Sequence, residues 1–267
     1  VKYFGTLENY PHECLNKMIP NKKDYQYIQG PTKYTHRIIE NFNLFKSQKL
    51  VNNDDFLIKG INSGDIRTSS SGQSSYIIVH TGQSEPGKEK SMDIGYWAKL
   101  LSSLKNRIEH EIVIIGSTHE KRNVDSILSI VNDKQVKSLC GKKNLIETIH
   151  LMEGSKMILA IDGGMAHLAA SLNKDLVTLF GPTNSHNVSP VDTYGLLISN
   201  QIECSPCYWS DNYYNCPYGR KCLNEINQDI IIESVSDVIS GKRLESNKIN
   251  NCYISKIPTY ETMKLSL

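Results

Sequence analysis

The chain has 267 residues, of which 39% are hydrophobic and 22% charged, with a formal net charge of +2. Such a composition supports a packed core and excludes global disorder, and so small a charge excludes a bulk polyanion binder while leaving room for a local anion site. No apolar run is long enough to span a bilayer, and the first thirty residues lack the basic start and apolar core of a secretory signal.

In chain order, the first 75 residues carry little periodic signal. The stretch "YTHRIIENFNLF" places Ile38, Ile39, Phe42 and Phe45 at helical spacing, and "RTSSSGQSS" has the composition of a linker. A domain boundary is expected there. From Tyr76 the rhythm becomes regular. "YIIVH" reads as a strand, and "DIGYWAKLLSSL" as a helix with Trp97, Leu100, Leu101 and Leu104 on one face. "EIVIIG", "KMILAID" and "DLVTLF" read as further strands, and "NVDSILSIV", "NLIETIHLM" and "GMAHLAASL" as helices. "NQDIIIESVSDVI" reads as a closing helix followed by a polar tail. Near-continuous apolar strands alternating with amphipathic helices predict an α/β fold, a doubly wound parallel sheet covered on both faces.

In such a sheet, ligands bind at the carboxyl ends of the strands, where loops lead into helix N-termini. Four stretches fall there: His80-Thr81-Gly82, Gly116 to Glu120, Asp162-Gly163-Gly164 and Gly181-Pro182-Thr183. Gly163 and Gly164 allow close backbone approach, and the free N–H groups of the helix they open favour an anion. The same residues also suit a plain strand-to-helix turn capped by Asp162. His167, beside Leu168 and Ala169, reads by itself as a core histidine.

Of the seven cysteines, Cys14, Cys140 and Cys252 are scattered, whereas Cys204, Cys207, Cys216 and Cys222 cluster. In a reducing compartment the cluster reads as thiols or metal ligands before disulfides, and four thiolates are compatible with a closed zinc or iron site.

The segment "LIETIHLMEGSKMILAIDGGMAHLAASLNKDLVTLFGPT" resembles the donor-binding core of glycosyltransferase family 9, the ADP-heptose:lipopolysaccharide heptosyltransferases. "YIIVHTGQSEPGKEKSMDIGYWAKLL" is similar to the family's strand-loop-helix with a phosphate-binding lysine, and "IVIIGSTHE" to its Gly-x-x-x-Glu segment. "CSPCYWSDNYYNCPYGRKCLNEI" resembles the Cys-rich segment of heptosyltransferase II-like members. The resemblance covers roughly residues 76–239. It implies a B-type glycosyltransferase architecture: a partial N-terminal, acceptor-side domain over 1–70 and a Rossmann-like nucleotide-sugar domain over 76–245. A Cys-rich insertion lies at 201–223, and a C-terminal tail follows over 246–267.

The resemblance also implies a donor site made of His80, Thr81, Gly82, Lys90, Glu120, Asp162, Gly163, Gly164, Met165, His167, Gly181 and Thr183. Lys90, or else Lys88, falls at the phosphate-binding lysine, and Glu120 at the position that holds ribose hydroxyls. Asp162 to Met165 fall in the loop that faces diphosphate and sugar. The implied reaction is inverting transfer of heptose or a related sugar from an ADP-sugar to a lipopolysaccharide core or protein acceptor. It needs no catalytic cofactor; zinc or iron at Cys204, Cys207, Cys216 and Cys222 would be structural. The implied location is cytoplasmic, with peripheral contact at the inner membrane as an option, and nucleic acid is not an expected partner.

A family enzyme carries its catalytic base in a full acceptor domain, and about 75 residues are few for one. No base is therefore assigned: Asp54 and Asp55 read as a solvated loop pair. The alternative reading is a truncated chain that binds a nucleotide-sugar without catalysis.

Overall fold

A computed structural model describes residues 3–5, 25–27, 75–82, 88–200, 202–208, 210–242, 244–249 and 252–259. The helix expected over 34–45, the carboxylates Asp54 and Asp55, and nearly all of the linker lie outside them. Two short strands, β1 (Tyr3–Gly5) and β2 (Tyr25–Tyr27), pair in parallel.

The remaining strands form one eight-stranded sheet. They are β3 (Tyr76–His80), β4 (Glu111–Ile115), β5 (Val136–Ser138), β6 (Ile158–Ile161), β7 (Leu176–Phe180), β8 (Gly195–Asn200), β9 (Asn247–Ile249) and β10 (Cys252–Lys256). Their spatial order is β5-β4-β3-β6-β7-β8-β10-β9, with the first six parallel. Counted from β3, that is the 3-2-1-4-5-6 order of a dinucleotide-binding sheet, whose direction of winding reverses between β3 and β6.

Alternation along each strand builds two cores. Ile77, Val79, Ile112, Ile114, Leu159, Ile161, Val177 and Leu179 face one side of the sheet, together with Trp97, Leu100, Leu101 and Leu104 of α1 (Ile94–Leu104). Val124 and Ile127 of α2 (Lys121–Val131) and Ile231 and Val235 of α8 (Gln228–Ile239) complete that layer. On the opposite side, Ile78, Val113, Ile158, Ala160 and Phe180 meet Met152 of α3 (Leu145–Gly154) and Ala166 and Ala169 of α4 (Gly164–Ser171). Burial on both faces explains why these strands are apolar runs rather than alternating ones. A capping box between Asn144 and Glu147 starts α3. Between β7 and α8 lie three four-residue helices: α5 (Ser185–Val188), α6 (Asp211–Tyr214) and α7 (Lys221–Asn224).

The expected polar tail is a correction. Residues 247–249 and 252–256 form β9 and β10, and β10 pairs antiparallel with β8, Ile254 opposite Ile198. Burial of Cys252, Ile254 and Ile257 against the sheet holds this hairpin despite its polar flanks.

Candidate functional site

The crevice between the carboxyl ends of β3 and β6 collects most of the expected residues. Asp162 follows β6 directly and is 6% exposed. Its Oδ2 accepts a hydrogen bond from Lys90 Nζ at 2.8 Å and another from Thr183 Oγ1 at 2.6 Å. Lys90 ends a 3-10 turn (Lys88–Lys90) in the β3–α1 loop, and Thr183 follows β7. The β3–α1 loop and the segments that follow β6 and β7 thus meet at one carboxylate. The Lys90 ammonium also lies 4.9 Å above the centre of the Tyr208 ring, a favourable cation–π placement.

The alternative of a plain glycine turn at Gly163-Gly164 is not what the geometry displays. Gly163 has φ 167°, extended backbone open to any residue, and a Cβ there would meet only Ile161 O at 3.9 Å. A Cβ on Gly164 would meet nothing within 4 Å. Neither backbone strain nor packing asks for glycine at these two positions, and the start of α4 is open there. Gly82 differs: with φ +63° and a Cβ position 2.1 Å from Ile161 Cγ2, it is required by the turn itself.

Beside this opening, His80 and Glu120 form a buried pair, His80 Nε2 to Glu120 Oε1 at 3.2 Å. Glu120 Oε2 accepts from Ser117 N at 2.6 Å and Ser117 Oγ at 2.8 Å. Gly116 makes room for it, because a Cβ there would lie 2.8 Å from Glu120 Oε2. Burial pushes the Glu120 carboxyl up, but the hydrogen bonds and charge of His80 and the bonds from Ser117 outweigh it and hold the group down at about 2. Glu120 is therefore an anion whose two oxygens are already engaged, a more enclosed setting than a first-turn helix carboxylate. Cys140 lies against the same carboxylate, and burial first, then that charge, push its thiol up to about 12. Thr81 is fully buried, and its Oγ1 has no hydrogen-bond partner among the described residues.

The other expected residues are placed unequally. His167 has an exposed surface, which removes the reading of it as a core histidine. Crowding around its ring lowers its pKa, Asp162 opposing and Lys90 adding to that. Met165 is half-buried against the α3–α4 layer. Gly181 faces Leu223 of α7, where a Cβ would lie 2.3 Å from Leu223 Cγ, so its smallness serves packing. The carbonyl of Lys88 binds Arg220, while Lys90 takes the place beside Asp162.

The Cys-rich segment closes the crevice from outside. Ser205 Oγ donates to Gly181 O at 2.6 Å, and the backbone N–H groups of Cys207 and Tyr208 both donate to Pro182 O at 2.9 Å. Tyr208, Ser117 and Arg220 were not expected at the site. "GRKC", the one basic touch near the cysteines, is the only sequence signal that marks Arg220. All four clustered cysteines are free thiols. Burial, then the neighbouring thiols of Cys207, Cys204 and Cys216, push Cys222 up to about 12. Among the described residues, no three His, Cys, Asp or Glu side chains are set to hold one ion. Cys222 packs into the core, while Cys216 Sγ accepts from the Arg220 backbone N–H at 3.3 Å.

The model of "Glycosyltransferase family 9 (heptosyltransferase)" matches residues 27–216. Lipooligosaccharide heptosyltransferase 2 of Campylobacter jejuni subsp. jejuni serotype O:2 is 24% identical over 163 residues, 59% of this chain and 49% of the relative. Lipopolysaccharide heptosyltransferase 2 of Salmonella typhimurium is 29% identical over 110 residues, 40% of this chain and 31% of the relative. This chain thus spans half or less of the length of these relatives. Among solved structures, E. coli ADP-heptose lps heptosyltransferase II aligns with a TM-score of 0.50 at 21% identity, over 67% of this chain and 50% of that one. A family 9 glycosyl transferase from Veillonella parvula aligns with a TM-score of 0.53 at 15% identity, over 81% of this chain and 63% of that one. These likenesses show the fold, an α/β glycosyltransferase fold.

Proposed function

This chain belongs to glycosyltransferase family 9, and from that membership and the crevice geometry we propose that it binds the diphosphate of an ADP-sugar and serves transfer of a heptose, or a related sugar, to a hydroxyl of a lipopolysaccharide core or protein acceptor. The observation that carries the reading is the Lys90–Asp162–Thr183 constellation beside the open start of α4, at the point where the sheet reverses its winding.

The chemistry follows from where charge grows. As the acceptor oxygen bonds to the anomeric carbon, the bond from that carbon to the diphosphate breaks and its electron pair leaves with the diphosphate. One displacement inverts the configuration. The Lys90 ammonium and the backbone N–H groups at the start of α4 stabilise the departing anion, and fixed donors do so without reorganising at the moment of reaction. Asp162, held by Thr183, faces the same space and accepts hydrogen bonds from sugar hydroxyls while keeping Lys90 in place. The buried Glu120 takes the ribose hydroxyls by exchanging a bond now made to Ser117 or His80. The base that removes the acceptor proton is not assigned to a residue of this chain. No helix among the described residues is long and apolar enough to cross a membrane, and work at the cytoplasmic face of the inner membrane is part of this proposal.

Thermal unfolding tests the nucleotide reading. At a hundredfold excess over its Kd, a ligand of the native state adds about 2.7 kcal/mol. ADP and an ADP-sugar are expected to raise the Tm in a concentration-dependent way, and UDP and GDP much less. An equal response to all three diphosphates would remove adenine from the proposal, and no response to any would remove the donor site.

A further inference from the structure

Arg220 sits at the N-terminus of α7 with φ 54° and ψ 40°, a left-handed backbone that an arginine rarely adopts. Such a conformation persists only where the surroundings hold it, and its presence directs attention to what the side chain does. The guanidinium reaches across to the loop that carries Lys90. Nη1 donates to Lys88 O at 3.1 Å and to Ser91 Oγ at 3.2 Å, and Nη2 to Asp93 Oδ1 at 2.6 Å. The hydroxyl of Ser91 in turn donates to Lys88 O, closing the turn around Lys90. From the same short helix, Asn224 Oδ1 accepts the Asp93 backbone N–H at 2.9 Å. The far end of the segment holds the other side of the crevice through Pro182 and supplies the Tyr208 ring beneath the Lys90 ammonium.

We propose that Arg220 is a positioning residue: it brackets the 3-10 turn on both sides of Lys90, so that the Cys-rich segment sets the place and orientation of the lysine facing the anion. Its planar fork spans three acceptors on residues 88, 91 and 93 with donors on two separate nitrogens in fixed geometry, where a lysine offers a single point charge. The role rests on the reading of the crevice as a diphosphate site, but the position of Lys90 can be measured without nucleotide.

The variant of choice is Arg220→Asn in the full chain, because asparagine tolerates the left-handed backbone and leaves the fold its turn. Asp93→Asn, which removes the charged acceptor alone, is the second variant. Amine acylation of Lys90, followed by peptide mass spectrometry, reads how firmly the lysine is held. Calorimetry with ADP reads the consequence, including the pair Lys90→Ala and Lys90→Ala/Arg220→Asn. The expected result is faster acylation of Lys90 in both variants and about tenfold weaker ADP binding by Arg220→Asn, the scale of one charge-assisted contact. In the Lys90→Ala background Arg220→Asn changes ADP affinity no further, since its effect runs through that lysine. Unchanged acylation of Lys90 in both variants overturns the positioning role. An undiminished loss in the Lys90→Ala background also overturns it, by making Arg220 a direct contact. Faster acylation in a chain whose native form fails to bind ADP upholds the positioning role and overturns the nucleotide reading instead.

Discussion

Gly164 and Glu120 carry opposite signatures of function. Gly164 opens α4 with nothing within 4 Å of a Cβ, so alanine fits there. Alanine is the better helix former by about 0.5–1 kcal/mol, and Gly164→Ala is expected to keep or raise the Tm. On the proposed reading the same methyl group stands where the diphosphate approaches the backbone, and it should weaken ADP binding about tenfold. A calorimetric titration beside a melting curve checks both; loss of stability together with binding would return Gly164 to a structural turn. Glu120 is held by the protein itself. Its carboxyl lies at about 2 in the folded chain against an ordinary 4.5. A depressed carboxylate pKa adds stability that is complete above about pH 4.5 and is lost as pH falls toward 2, where the native group takes up its proton. At about 1.4 kcal/mol per unit the contribution is at most about 3 to 4 kcal/mol. Urea unfolding should therefore show a steeper loss between pH 4.5 and 2 for the native chain than for Glu120→Gln. Parallel pH profiles would mean that the His80 and Ser117 bonds do not favour the anion.

Among the elements, legibility followed length and burial. Strands β3, β4, β6 and β7 are short runs of Ile, Val and Leu buried on both faces, and such runs stand out in a sequence. Strand β5 has three residues, of which Lys137 is exposed, too few to leave a period. Strand β9 is the sheet edge, and β10, between it and β8, alternates buried with partly buried residues over only five positions, so the segment reads as tail. Strand β8 was passed over although "GLLI" is apolar; its first residue explains its fit. Gly195 pairs with Leu176 of β7, and a Cβ there would lie 1.9 Å from the Leu176 carbonyl oxygen. Gly195→Ala must push two paired backbones apart and is expected to cost about 3 kcal/mol in chemical unfolding. A loss below about 0.5 kcal/mol, the scatter of an ordinary surface substitution, would contradict that pairing.

For the whole molecule, the sheet order explains why residues 72 positions apart, Lys90 and Asp162, share a hydrogen bond. Both follow strands that flank the reversal of winding, and a crevice at that place is a property of the topology rather than of either motif. Asp162, Thr183 and Glu120 were legible because they fall in glycine-bearing stretches just after strands, whereas Lys90, ten residues beyond β3 in a 3-10 turn, is marked only by the family resemblance. Arg220 and Tyr208 were not legible, because their places depend on how an irregular segment folds back over the sheet, which no period records. Lys90 and the start of α4 are proposed to form a diphosphate site. Titrating the native chain and Lys90→Ala with ADP by calorimetry tests it most directly. Saturable binding by the native chain is expected, weakened roughly ten- to a hundredfold by Lys90→Ala, the range of a charge-assisted contact to phosphate. Equal ADP affinity of the two proteins, or no binding by the native chain, would contradict it.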